Sequence, residues 1–85
     1  MKEFDYIIKD ELGIHARPAG LLVKKASQFK SNITITKEGK SADAKKIFAL
    51  MGLGGKRGDT ITIQITGEDE SEALIAVKEF IEGNL

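Results

Sequence analysis

Between Thr60 and Thr66 the chain reads Thr-Ile-Thr-Ile-Gln-Ile-Thr, three isoleucines alternating with hydroxyl and amide side chains. Successive side chains of a strand point to opposite faces, so this stretch has one face for a core and one for water. A sheet built around it needs cover on one side only. Ile33-Thr34-Ile35-Thr36 repeats the pattern in β-branched residues. Phe4, Tyr6 and Ile8 alternate with Asp5 and Lys9, which predicts a first strand from about Lys2 to Lys9, with Ile7 a mild exception. Lys40 to Ala44 is a shorter strand carrying only small apolar residues, as suits a sheet edge.

The cover comes from segments with a different period. From Arg17 to about Phe29, the residues Ala19, Leu22, Val23, Ala26 and Phe29 recur at helical spacing, and Ser31 and Asn32 break the pattern. Leu21 lies off that stripe, beside Gly20 and Lys24. A last helix starts with Asp69 as N-cap and Glu70 and Glu72 in its first turn; Ala73, Leu74, Val77, Phe80 and Ile81 trace its apolar face, and Gly83 ends it. Lys45 to Leu53 is too apolar for one narrow stripe on a two-turn helix. If Ala49, Leu50 and Leu53 face inward, then Ile47, Phe48 and Met51 form an exposed apolar patch of the kind that marks partner surfaces; the alternative is a helix buried on most sides. Loops span Asp10 to Ile14, Glu38-Gly39 and Gly54 to Asp59. The order is βαββαβα, an α+β chain whose four strands and three helices are satisfied by an antiparallel sheet with all helices on one face. Residues 1–85 make one small domain.

Thirteen basic residues balance thirteen acidic ones, so no global field recruits nucleic acid or an anionic membrane. The absence of cysteine removes disulfides, thiolate zinc sites and a cysteine nucleophile, and a single histidine argues against a metal cluster. The first residues lack the apolar core of a signal peptide and no apolar run reaches membrane-spanning length, so a cytoplasmic location without membrane insertion is expected.

The only histidine and the only proline share one stretch, Leu12-Gly13-Ile14-His15-Ala16-Arg17-Pro18-Ala19-Gly20. Gly13 permits a tight bend, and Pro18 suits the first turn of a helix, where its missing N–H is no loss. The helix therefore begins beside His15. Its first turn carries unsatisfied N–H donors and the positive end of the backbone dipole, which together make an anion site. A phosphoryl group on His15 could be held by the amides of Ala16 and Arg17 and by the Arg17 guanidinium.

Gly-Ile-His-Ala-Arg-Pro-Ala closely resembles the active-site signature of the HPr family, the histidine-containing phosphocarriers of the bacterial phosphotransferase system, and the resemblance runs along the whole chain. It implies an open-faced sandwich with strand order 1-4-2-3. It implies further that enzyme I passes a phosphoryl group to Nδ1 of His15, that Arg17 neutralises it, and that the group then moves to the IIA domain of a sugar transporter. The matching docking positions are Gly20, Leu21, Lys24, Ile47, Phe48, Met51 and Gly52. No cofactor or metal is implied, and a transient carrier that needs its docking face free is expected to be a monomer.

Lys46 departs from the pattern: many family members carry there a serine that a dedicated kinase phosphorylates, and lysine offers no hydroxyl. Two other functions compete. Gly55-Lys56-Arg57-Gly58 resembles the GxxG loop with which KH domains clamp nucleic-acid backbone, but that loop joins two helices, whereas the residues following it here read as a strand. A regulatory paralogue that binds partners without relaying phosphate is the other; the pairing of His15 with Arg17 counts against it.

Overall fold

The computed structural model describes every residue from Met1 to Leu85. Its elements are β1 (Lys2–Ile7), α1 (Ala16–Ala26), β2 (Asn32–Lys37), β3 (Lys40–Asp43), α2 (Ile47–Gly52), β4 (Thr60–Thr66) and α3 (Glu70–Asn84). The strands form one antiparallel sheet in the order β1-β4-β2-β3. The most strictly alternating segment thus lies inside the sheet, with Ile63 between Phe4 and Ile35, while the weak segment β3 lies at an edge.

Ile61, Ile63 and Ile65 are fully buried with Ile33 and Ile35, and one continuous cluster joins them to Leu22 of α1, Leu50 of α2 and Val77 of α3. Burying one such side chain contributes roughly 1.5–3 kcal/mol, so this single layer between sheet and helices is the main source of stability. The opposite face is left to polar pairs across strands: Thr62 Oγ1 donates to Asp5 at 2.7 Å, Gln64 Nε2 donates to Glu3 at 2.8 Å, and the hydroxyls of Thr36 and Ser41 lie 2.9 Å apart.

Several boundaries differ from the sequence reading, each for a visible reason. β1 stops at Ile7 because Ile8 turns to the α2–β4 loop, donating to the Asp59 carbonyl at 3.0 Å and accepting from Gly58 at 2.8 Å. α1 ends at Ala26, yet Phe29 still packs against the core, because the amides of Gln28 and Phe29 continue in tight turns to Lys25 and Ala26. Asn32 does not belong to the break; it opens β2 opposite Thr66. Ile47, not Lys45, begins α2, and Lys46 is its N-cap.

Gly83 does not end α3, which runs on to Asn84, held by the Leu85 amide on the Ile81 carbonyl at 2.9 Å. Asp69 stands at the N-cap of α3 but its carboxylate caps nothing. It reaches across to the α1–β2 connection instead, accepting from the amides of Lys30 at 2.8 Å and Ser31 at 3.0 Å and from the Ser31 hydroxyl. The Ser31 hydroxyl, followed by the Lys30 amide, holds the Asp69 carboxyl below the usual carboxylate range. The loop from Gly54 to Asp59 leads from α2 into β4, so it does not join two helices as a nucleic-acid clamp of the KH type would.

Candidate functional site

The segment between β1 and α1 is fastened at four points before it reaches His15. The amides of Lys9 and Asp10 donate to the Leu85 carbonyl at 2.6 and 2.8 Å. The Asp10 carboxylate accepts from the Leu12 amide at 2.8 Å, a local turn typical of this residue. Gly13 has φ of +65° and lies so close to the Gly55 carbonyl that a Cβ would run into it. Ile14 is buried and donates to the same carbonyl at 3.0 Å.

His15 follows as the N-cap of α1, in an extended conformation with φ −105° and ψ −179°. Its carbonyl accepts the Ala19 amide at 3.0 Å, the first bond of the helix, and its ring makes no capping bond. The ring is therefore displayed at the mouth of the helix, with 35% of the side chain exposed and Nε2 3.8 Å from Asp10 Oδ1. Ala16 and Arg17 are exposed first-turn residues whose amides lie too early for intrahelical partners, Pro18 has no amide to leave unpaired, and no acid stands in the first turn. Asp10, Leu12, His15, Arg17, Pro18 and Leu21, with Gly83 and Asn84 from the end of α3, line an open groove of about 370 Å³.

Asp10, Gly83 and Asn84 are absent from the sequence-based site. Only the folding back of α3 places the last two there, and no local spacing signals it. Gly55, which the sequence places in a loop and at the head of the GxxG resemblance, accepts the Ile14 amide, and its buried position leaves it no space for a side chain.

Beside the groove lies the second set of candidate residues. Phe48 is 85% exposed, Leu21 43% and Met51 39%, with Lys24 and Gly52 also exposed. The expectation for Ile47 needs correcting, because it is half-buried against the core rather than part of the open patch. Its Cδ1 lies over Gly20 of α1, where a Cβ would sit 3.6 Å away in ordinary contact. Leu50 and Leu53 are buried and Ala49 is half-buried, as the inward reading required. Lys46 is exposed at the N-terminus of α2.

A family model described as the PTS HPr component phosphorylation site matches residues 2–83. The chain belongs to the HPr phosphocarrier family. It is 47% identical over 85 residues to the phosphocarrier protein HPr of Mycoplasma genitalium, a match covering 99% of this chain and 97% of that protein. Among solved structures, a Mycoplasma histidine-containing phosphocarrier protein superposes with a TM-score of 0.93 at 43% identity, covering 96% of this chain and 93% of the other. HPr-C-His of Thermoanaerobacter tengcongensis does so with a TM-score of 0.93 at 42% identity, covering 99% and 94%. The four-stranded sheet with its 1-4-2-3 order is thus the HPr open-faced sandwich. HPr chains are phosphocarriers of the phosphotransferase system and not catalysts in their own right. No helix of this one is long and apolar enough to cross a membrane.

Proposed function

We propose that His15 carries the phosphoryl group, accepting it on Nδ1 from phosphorylated enzyme I and yielding it to the IIA domain of a sugar transporter. The observation that carries this reading is the ring of His15 standing at an uncapped helix start beside the free amides of Ala16 and Arg17. The Asp10 carboxylate lies on the Nε2 side, 3.8 Å away and beyond hydrogen-bond length, and acceptance on Nδ1 requires the tautomer that keeps the proton on Nε2. The lone pair is then on Nδ1. It forms the bond to phosphorus as the bond to the donor atom of enzyme I breaks, that atom keeping the electron pair.

The charge spread over the phosphoryl oxygens meets the two amides, the helix dipole and the Arg17 guanidinium. A carrier must also let go. Solvent around a partly exposed ring and the nearby Asp10 charge limit how deep the phosphorylated state lies, which keeps transfer reversible. The apolar patch of Leu21, Phe48 and Met51, with Gly20, Ile47 and Gly52 shaping it and Lys24 at its rim, is the docking surface. Flexible Met51 suits a patch that must fit more than one partner. The carrier acts as a cytoplasmic monomer of one domain.

Intact mass after incubation with enzyme I, magnesium and phosphoenolpyruvate tests the assignment. One added phosphoryl group is expected, labile in acid and absent from His15→Ala. A folded chain that stays unmodified beside an active enzyme I control would overturn it.

A further inference from the structure

Lys37, the last residue of β2, points into a junction rather than into solvent: only 15% of its side chain is exposed. Its ammonium donates to the carbonyls of Leu53 and Gly54, both at 3.3 Å, where α2 ends. Those carbonyls have no partner within the helix and carry the negative end of its dipole, so a cation suits them. The same ammonium lies 3.4 Å from Asp59 Oδ2.

Asp59 closes the far side of the loop. Its carboxylate accepts the Lys56 amide at 2.9 Å, and its own amide donates to the Lys56 carbonyl at 2.9 Å. The Lys56 amide first, and Lys37 after it, hold the Asp59 carboxyl below the usual carboxylate range, in keeping with this geometry. Between the two anchored ends lies Gly55, whose carbonyl accepts the Ile14 amide next to His15.

We propose that Lys37 is a positioning residue: by tying the end of α2 to the 54–59 loop, it holds the docking helix and the His15 segment in one fixed relation. The inference rests on the reading of His15 as acceptor and α2 as docking helix. Gly54 and Gly58, at φ of +66° and +91°, have open space where a side chain would point, whereas Gly55 is seated against Ile8 and Ile14, so the stretch from α2 to Gly55 is fixed at one end by the core and at the other by Lys37. The ammonium group is the cross-brace. Without it, the carbonyls that end α2 and the Asp59 carboxylate, which bracket Gly55 in the chain, lose their common anchor, and motion at one end no longer accompanies motion at the other.

Lys37→Met, which keeps the stem and removes the charge, is to be compared with Lys37→Arg by residue-resolved amide exchange and by phosphorylation kinetics with enzyme I. In Lys37→Met the amides of Gly54 and Ile14 are expected to exchange about tenfold faster, as for loss of one charge-assisted tie, while those of Ile63 and Ile65 keep their protection. KM for phosphorylated enzyme I should rise about threefold at an unchanged folded fraction, and Lys37→Arg should restore both readouts. Unchanged exchange at Ile14, or an equal increase at every amide, would overturn the proposal. Should Lys37→Met fail to fold, Asp59→Asn removes the other half of the tie and is expected to speed the same two amides selectively; no selectivity there would overturn it equally. The exchange measurement needs no partner, so it judges Lys37 independently, whereas a wild-type chain that takes no phosphoryl group would count against the carrier reading alone.

Discussion

The two long helices start on opposite chemistry. α3 opens on Asp69, Glu70 and Glu72, anions at the positive end of its dipole, whereas α1 opens on His15, Ala16 and Arg17 with no acid in its first turn. Negative charge is favourable at such a position, so α3 is stabilised where it begins and α1 is not. The start of α1 is secured from outside, by the buried Ile14, the Gly13–Gly55 approach and the buried Pro18. On the proposed function, a helix start that must receive an incoming anion keeps its donors vacant and takes its rigidity from the core. The start of α3 carries acidic residues of its own instead, although the Asp69 carboxylate is engaged by Lys30 and Ser31 rather than by the helix amides.

Breaking the outside support should have the largest effect. Gly13→Ala combines a positive φ with a collision against the Gly55 carbonyl, and should cost about 3 kcal/mol or more in urea denaturation. Next comes the proposed anion site. Arg17→Ala leaves an exposed residue without packing duties, so Tm should hold while phosphorylation by enzyme I slows about 10–100-fold.

The α3 start is probed through pH. The folded-state pKa of Asp69 is depressed, so its contribution is present above the unfolded value of about 4 and lost as pH falls through the folded one. Asp69→Asn should therefore lower Tm at neutral pH and flatten the fall in Tm on the acid side; a parallel shift at all pH values would contradict this. The smallest effect sharpens the comparison on α2, whose N-cap is a cation. Lys46→Ser supplies a capping hydroxyl and should raise stability by about 0.5–1 kcal/mol. It should also create an acceptor for the family's serine kinase and ATP, which are expected to leave the wild-type chain unlabelled.

Local chemistry was legible wherever one residue type has one reason to be there. Alternating isoleucines declared β4 and its buried face, and Pro18 placed the start of α1 at His15 to within a residue. Strand order was not legible from periodicity, since a pattern within one strand does not name its neighbours; the family resemblance supplied it. The errors cluster where tertiary contact overrides local rules. Asp69 has the sequence of a cap, but Ser31 and Lys30 claim its carboxylate from nearly forty positions away. Gly83 looks like a stop, but α3 continues because the Leu85 carbonyl is held by the amides of Lys9 and Asp10. The same fold-back brings Asn84 into the groove beside His15.

The sheet carries helices on one face only, and both the His15 groove and the α2 patch belong to that side. On the proposed function, donor and acceptor must then compete for the same few side chains and cannot be held together. Every phosphoryl group spends part of its passage on a free, unaccompanied carrier. Throughput is governed by how quickly each complex falls apart and by how many copies of the chain are in circulation, so a mutation that tightens either complex is expected to slow the relay.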